Sequence, residues 1–426
     1  MKIYIESHGC TANEEFARKL EDYLRKKRFE ILKDPKKADT VVLNTCTVIE
    51  TTERAMLKKI RSFGGEEGEG KKLIVTGCMA RIQPEKIRET NRDAIILDQK
   101  YFYDLFREEE KNERIVAYNG KNGKIGTVSI GEGCIGNCSY CISKKARGDI
   151  KSRSPEEIME EFKELIKRGV REIRLTGQDV GAYGIDISYD LPRLLKKISR
   201  LKGEFYVRVG MMNPHSIEDI LDDLILAFES DKIFKFIHIP VQSGSDKVLR
   251  EMNRRYEVKD FLKIVDAFKS RFGDLGFSTD FIVGFPGESK EDFERSLRLL
   301  NACEPNKVNI TRYSKRPFTP YADKDRQKSK IFGATNRRSV CIYGGIKKER
   351  SRIMTEEVKR IYKKINKRWV GREVKGVMTE KGKKGGSIAR DIFYHQIIIE
   401  DKIPLGKKVN IKIEEDRTTY FMGRVI

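Results

Sequence analysis

Between Lys124 and Tyr313 the chain repeats a strand-then-helix pattern six times, and this alternation constrains its architecture more than any other feature. Short runs rich in β-branched and aromatic residues fall at Gly126–Ile130, Glu172–Leu175, Phe205–Val209, Lys235–Ile239, Ser278–Val283 and Lys307–Thr311. Between them, apolar residues recur at helical spacing in Pro155–Arg168, Leu191–Arg200, Ile217–Phe228, Lys247–Met252, Lys259–Arg271 and Lys290–Ala302. Such alternation builds a parallel sheet, because parallel neighbours need a crossover long enough to hold a helix. Six units predict an open, partial (βα)6 barrel with its reactive groups at the C-terminal strand ends.

The first strand feeds into Cys134-Ile135-Gly136-Asn137-Cys138-Ser139-Tyr140-Cys141, three thiols spaced C-x3-C-x2-C around one aromatic. Soft thiolates suit iron–sulfur chemistry, and three on a tight loop can hold three irons of a four-iron cluster. The fourth iron is then open to a small chelating molecule. A structural zinc site normally takes four protein ligands, and no fourth Cys or His lies nearby. An incomplete zinc knuckle or an accidental Cys-rich loop is the weaker alternative.

The loop resembles the cluster motif of radical S-adenosylmethionine enzymes. The resemblance implies that Cys134, Cys138 and Cys141 are catalytic and hold a [4Fe-4S] cluster. Its open iron would chelate S-adenosylmethionine, and one electron would cleave the sulfonium to a 5′-deoxyadenosyl radical. Tyr140 stands where that family carries an aromatic. Thr176-Gly177-Gln178-Asp179 follows the second strand, Pro240–Ser245 the fourth and Val283–Glu288 the fifth. Glycine permits close backbone approach there, and Gln242 can bond to ligand or ribose, although each segment alone reads equally as an ordinary βα turn. The expected cofactor lining is Tyr140, Gly177, Gln178, Gln242 and Asp280.

Upstream, three short apolar runs each lead to a cysteine: Lys2–Glu6 to Cys10, Thr40–Leu43 to Cys46, and Lys72–Val75 to Cys78. Helical patterns at Glu14–Lys27 and Thr51–Phe63 separate them, so a parallel-sheet α/β domain is predicted with all three thiols on one rim. A lone Cys after a strand is usually a small buried hydrophobe; three at equivalent strand ends point to a second cluster with three protein ligands. The Gly-Cys, Asn-Thr-Cys and Gly-Cys spacing, with Asn13 three residues past Cys10, resembles the N-terminal domain of methylthiotransferases. Arg174–Asp179, Val209–Pro214 and Asp280–Glu288 resemble the archaeal and eukaryotic branch that acts on tRNA threonylcarbamoyladenosine.

Trp369–Ile426 carries five short strand patterns with Gly-rich turns, which predict a small β-barrel. It resembles the RNA-binding TRAM domain, which implies phosphate contacts from Lys381, Lys383, Lys384 and Arg390. Phe393, Tyr394 and Phe421 read as barrel core ahead of base-stacking platforms. Of the formal charge of +22, residues 1–311 carry only +4. Arg312–Arg368 holds 19 Lys and Arg against 5 Asp and Glu, the footprint of a surface for a polyanion, with a solvated lysine-rich face as the bland alternative. The family's Pro-Gly-Thr-Pro segment is here Pro317-Phe318-Thr319-Pro320, and Gln327–Gly345 reads as an extra stretch before a basic helix at Ile346–Lys367. Cys303 and Cys341 match no ligand position.

The expected organisation is α/β: an N-terminal domain at 1–112, a radical core at 124–313, a basic linker and helix at 314–368, and a TRAM-like barrel at 369–426. The resemblance implies a cytoplasmic, monomeric enzyme with two [4Fe-4S] clusters and S-adenosylmethionine. It would convert tRNA threonylcarbamoyladenosine beside the anticodon (position 37) to the 2-methylthio form, drawing on an electron donor and a sulfur donor. The Cys10, Cys46 and Cys78 cluster would present the sulfur. Methylthiolation of isopentenyl-adenosine in tRNA or of a ribosomal-protein aspartate is the enzymatic alternative, and a structural iron–sulfur RNA-binding protein the non-enzymatic one. No run approaches the roughly 20 apolar residues of a membrane span, and eight cysteines without a signal segment imply a reducing compartment.

Overall fold

The protein is described by a computed structural model covering residues 1–65, 68–110, 114–120, 123–322, 337–383 and 385–426, with 337–343 given as backbone only. The first unit contains β1 (Lys2–Ser7), α1 (Thr11–Lys26), β2 (Glu30–Leu32), β3 (Thr40–Thr45), α2 (Glu50–Ser62), β4 (Lys72–Gly77), α3 (Cys78–Ile82), α4 (Pro84–Thr90), β5 (Ile95–Ile96) and α5 (Gln99–Glu109). Its sheet runs β2-β1-β3-β4-β5, parallel throughout. Every residue of the central strand β3 is buried, as expected where helices cover both faces. Alternation sends Val42 to one side, with Phe16, Leu20 and Phe102, and sends Val41 and Leu43 to the other, with Met56 and Ile60. Phe16 meets Phe102 edge-on at 5.6 Å and is fully buried, so Phe16→Ala would cost about 3–5 kcal/mol.

The core unit follows with β6 (Ala117–Tyr118), β7 (Ile125–Ser129), β8 (Gly131–Glu132), α6 (Ser143–Arg147), β9 (Lys151–Ser152), α7 (Pro155–Lys167), β10 (Glu172–Thr176), α8 (Leu191–Ser199) and β11 (Tyr206–Arg208). It continues through α9 (Pro214–Ile217), α10 (Leu221–Phe228), β12 (Phe236–His238), α11 (Asp246–Glu251), α12 (Val258–Phe272), β13 (Gly276–Val283), α13 (Lys290–Cys303) and β14 (Lys307–Arg312). The six expected strands pair in parallel and in chain order, with β11 joined to β12 through the Val207–Ile233 and Met211–His238 bridges. Ile173, Leu175, Val207, Ile237 and Phe277 turn outward into one helix-covered core. The alternate residues Glu172, Arg174, Thr176, Arg208, His238 and Asp280 therefore line the lumen. A capping box on Ser154 and Glu157 starts α7, the first crossover helix.

The last helix, α14 (Arg337–Asn366), starts nine residues before the expected basic helix and packs Met354, Val358 and Ile361 into the core. Most of the extra stretch expected at Gln327–Gly345 lies outside the described residues. Strands β15 (Glu373–Lys381), β16 (Ser387–Asp391), β17 (Gln396–Ile399), β18 (Lys408–Asp416) and β19 (Phe421–Val425) close into a barrel ordered β15-β16-β17-β19-β18. This barrel is seated on the core. A Cβ on Gly276 would stand 2.2 Å from the Phe393 carbonyl oxygen, so only glycine allows that approach. Tyr394 docks between Phe234 and Phe236 at 4.9 and 5.0 Å, and its hydroxyl donates to Glu172 at 2.6 Å. No described helix is long and apolar enough to cross a membrane.

Candidate active site

Strand ends position both cysteine trios. In the N-terminal unit, Cys10 follows β1 and caps α1, Cys46 follows β3 immediately, and Cys78 opens α3 directly after β4. Cys46 and Cys78 are buried and Cys10 is exposed. Gly77 has φ 91°, and a Cβ there would lie 2.4 Å from the Thr45 carbonyl oxygen. Glycine is thus required for β4 to pass β3 and deliver Cys78 to the rim. Burial pushes the Cys46 thiol up to about 11, and the neighbouring Cys78 and Cys10 add to the rise.

The rim is wired by amides. Asn13 donates to the carbonyls of His8 (2.7 Å) and Thr45 (3.0 Å), and Asn44 donates to Ser7 and to the Asn13 carbonyl. Arg147, on α6, reaches across from the core unit. It donates to Asn13 (2.8 Å), Gln99 (2.7 Å) and Glu132 (2.9 Å). Burial pushes the Cys78 thiol up, while the positive charge of the Arg147 guanidinium works the other way. A second clamp lies deeper, where Lys19 of α1 pairs with Glu161 of α7 at 3.0 Å and Arg153 pairs with the same carboxylate at 2.7 Å. Lys19 and Glu161 are almost wholly buried, so losing Lys19 would leave the Glu161 charge in the interface with Arg153 alone.

On the core side, the C-x3-C-x2-C loop is held along its length. The Cys134 amide donates to the Gly148 carbonyl and Lys144 donates to the Cys134 carbonyl. Ser139 donates from its amide to the Met252 carbonyl and from its hydroxyl to the Glu251 carbonyl, while Asn253 donates to the Asn137 carbonyl at 2.7 Å. Arg254 donates to the Cys138 sulfur at 3.3 Å. A Cβ on Gly136 would stand 3.3 Å from the Cys134 sulfur and 3.7 Å from that of Cys138, so this glycine sits between the two sulfurs. Burial pushes the Cys134 thiol up to about 11, helped by Asp179, Cys138 and Cys141, and burial raises Cys141 as well. Thiols in such sites must shed protons as metal enters.

The donor chemistry of both trios fits a four-iron cluster. Among the described residues no three His, Cys, Asp or Glu side chains are placed to hold a single metal ion. Thiolates bound to separate irons need no such closeness, and a guanidinium stands beside each trio: Arg147 at Cys78 and Arg254 at Cys138.

Of the expected lining residues, Gly177, Gln178 and Gln242 follow strand ends, Tyr140 lies in the cysteine loop and Asp280 lies within β13. Gln178 accepts from the Gly133 amide at 2.7 Å, so it braces the cluster loop. Gly177 lies beside it, and Tyr140 packs edge-on against Phe285 at 6.3 Å. Gln242 holds a left-handed φ of 72°, pinned by its amide to the Asp280 carbonyl and by the Ile282 amide to its own carbonyl. A non-glycine residue in that region stores strain of about 1–3 kcal/mol, typical of ligand-facing positions. Burial alone would raise the Asp280 carboxyl, but His238 at 3.0 Å and Asn309 at 2.6 Å bond to it and hold it low. Sequence reasoning does not single out Arg147, Arg254 or His238: each acts through a contact made by folding, and only Arg147's place just after the cysteine loop hints at its role.

The expected RNA residues divide. Lys381 and Lys383 are exposed at the end of β15, and Lys384 lies outside the described residues. Arg390 is half-buried over the Tyr394 ring at 4.6 Å, facing the core unit and away from that lysine turn. Phe421 is buried in the barrel and Phe393 packs on Trp369, as barrel core. Cys303 is buried in the core, its thiol pushed up to about 12 by burial, and the Cys341 side chain lies outside the described residues.

Residues 128–300 match the Radical SAM superfamily, and residues 2–98 match a family described as "Uncharacterized protein family UPF0004". The chain is 38% identical over 440 residues to a "Probable threonylcarbamoyladenosine tRNA methylthiotransferase" of Archaeoglobus fulgidus, covering 100% of this chain and 99% of that one. It is 32% identical to the threonylcarbamoyladenosine tRNA methylthiotransferase MtaB of Thermotoga maritima, covering 88% and 85%. Among solved structures, the radical S-adenosylmethionine methyltransferase TsrM of Kitasatospora setae shares the fold, with a TM-score of 0.57 and 14% identity over 77% of this chain and 78% of that one.

Proposed function

The chain belongs to the radical S-adenosylmethionine methylthiotransferases named for threonylcarbamoyladenosine tRNA, and from that membership we propose how its residues divide the reaction. It is a transferase that converts N6-threonylcarbamoyladenosine of tRNA to the 2-methylthio derivative, with two [4Fe-4S] clusters and S-adenosylmethionine as cofactors. Cys134, Cys138 and Cys141 would hold one cluster, and Cys10, Cys46 and Cys78 the other. When bound, the first supplies the electron that cleaves S-adenosylmethionine and the second presents sulfur, a radical route suited to an aromatic C–H with no acid–base handle.

The single observation that carries this reading is the span made by Arg147. Its guanidinium ties the helix after the core cysteine loop to Asn13 and Gln99 of the N-terminal unit. This link supports a reading in which both trios would serve one base, as a reaction needing a radical and a sulfur donor requires. Tyr140, Gly177, Gln178, Gln242 and Asp280 line the cofactor side. Lys381 and Lys383, with the adjacent Lys384, meet phosphates from a TRAM-like barrel at 369–426. The other units run 1–112, 124–313 and 314–368, and the protein acts as a cytoplasmic monomer with separate electron and sulfur donors.

Mass spectrometry of tRNA nucleosides from cells with and without this protein tests the reading. The 2-methylthio form of threonylcarbamoyladenosine should vanish with the gene and its unthiolated precursor accumulate. Loss of a methylthio group from isopentenyl-adenosine or from a ribosomal-protein aspartate instead would favour the rival substrates.

A further inference from the structure

The barrel lumen beneath the strand-end loops holds more cations than anions. Arg174 and Arg208 are register partners on β10 and β11, Lys307 starts β14, and Arg390 reaches in from β16. Arg208 lies 5.2 Å from the Phe236 ring and 5.9 Å from that of Tyr394, which Arg390 covers from 4.6 Å. Of the carboxylates nearby, Glu172 and Asp280 are already engaged, and Glu380 acts on Arg174. Glu172 takes Arg174 at 2.7 Å and the Tyr394 hydroxyl at 2.6 Å, and Asp280 takes His238 and Asn309. Among the described residues, neither the Arg208 nor the Lys307 side chain makes a hydrogen bond or an ion pair. Burial pulls Arg208 below its ordinary proton affinity, and the like charges of Arg174 and Arg390 add to the effect; burial, then Arg208, Arg390 and Arg174, act on Lys307 in the same direction. Cations crowded in this way, without anionic partners, favour an incoming anion.

We propose that Arg208, with Lys307 at the open edge of the lumen, binds the carboxylate of the threonyl group on the substrate base. This rests on the tRNA reading above. The carboxylate carbon stands four bonds from the adenine N6, about 5 Å when extended. The Arg174–Arg208 layer lies two residues below the Thr176–Ser129 layer at the strand ends, a drop of about 6.6 Å. An adenine held at the strand ends with its N6 arm in the lumen therefore brings the carboxylate to Arg208. Lys307 and Asn309 are exposed along β14, so the lumen is open on that side. The same cations reject an isopentenyl arm, which would bury apolar carbon against unpaired charge.

The test is binding of two anticodon stem-loops, one carrying the threonylcarbamoyl carboxylate and one its neutral threonine amide. They are measured with wild type, Arg208→Gln and Lys307→Gln at one salt concentration, on protein whose iron content and circular dichroism match wild type. Wild type should prefer the carboxylate by about 10- to 100-fold, the range of a charge-assisted hydrogen bond. Arg208→Gln should bring that ratio near one, and Lys307→Gln should lower it partway. If Arg208→Gln does not fold, the Lys307→Gln ratio alone decides. The proposal is overturned by an unchanged ratio in every folded variant, by equal weakening of both stem-loops, or by a wild type that modifies the carboxylate substrate yet binds the two alike. A wild type that modifies no threonylcarbamoyl-tRNA would instead overturn the parent reading.

Discussion

Arg316 sits just past the last barrel strand, only 3% exposed, and ties the core to the N-terminal cysteine rim. It donates to Thr47, the residue after Cys46, at 3.0 Å and pairs with the Glu53 carboxylate on α2. Arg316→Met keeps most of the side-chain volume and removes the charge. Breaking a buried pair usually costs about 3–5 kcal/mol. Glu53 here retains Lys86 at 2.7 Å, itself half exposed, so about 2 kcal/mol is expected at this site. Hydrogen exchange read by mass spectrometry on peptides from Thr40–Thr45 and Glu50–Ser62 would show about a 30-fold loss of protection. Peptides from α12 should not change. In a double-mutant cycle with Glu53→Gln the two losses should fail to add. Full additivity, or unchanged exchange in α2, would refute the coupling. The pair also sets a pH response. Burial alone would raise the Glu53 carboxyl, but bonds from Lys86 and Arg316 push it down to about 2. With the folded-state value below the ordinary 4.5, this stabilisation is complete above pH 4.5 and fades as pH falls toward 2. The variant should therefore lose less protection than wild type across that window.

Three other outcomes follow from the same architecture. Cys46→Ala protein, folded and holding the core cluster, should still release 5′-deoxyadenosine from S-adenosylmethionine but form no methylthio product, whereas Cys138→Ala should lose both; loss of all cleavage in Cys46→Ala would contradict the division. Binding to tRNA should weaken steeply with salt, and Lys381→Gln with Lys383→Gln should reduce the slope of log affinity against log salt by about one for each phosphate no longer neutralised. Point variants are preferable to deleting the barrel, because removal would strip Glu172 of its Tyr394 partner and uncover Phe234 and Phe236. Gly276→Ala should unseat the barrel from the core, read as new proteolytic cleavage between Asn366 and Glu373, and resistance equal to wild type would refute the close-approach requirement.

The six barrel strands, both cysteine trios and the closed C-terminal barrel are legible in the sequence because each is encoded locally, by periodicity or by position after a strand. The edge strands β2, β5 and β6 escape because two or three residues cannot display an alternation, and pairing with a longer neighbour creates them. Arg147, Arg254 and Arg316 are invisible for another reason. Their partners lie 134, 116 and 263 residues away at Asn13, Cys138 and Glu53, and nothing in the local pattern marks such a residue. Arg390 misleads in the opposite sense: a basic residue in a basic barrel reads as a phosphate contact, yet docking turns it toward Tyr394 and the lumen. Tyr394 shares that fate, since its left-handed φ of 68° aims the ring at the core unit.

Iron stoichiometry tests the central claim most directly. Protein reconstituted without oxygen should bind about eight irons, and Cys134→Ala, Cys138→Ala and Cys141→Ala together should leave about four, as should the same changes at Cys10, Cys46 and Cys78. A wild type that holds only four irons, or that takes zinc at either trio, would contradict the account of two facing clusters.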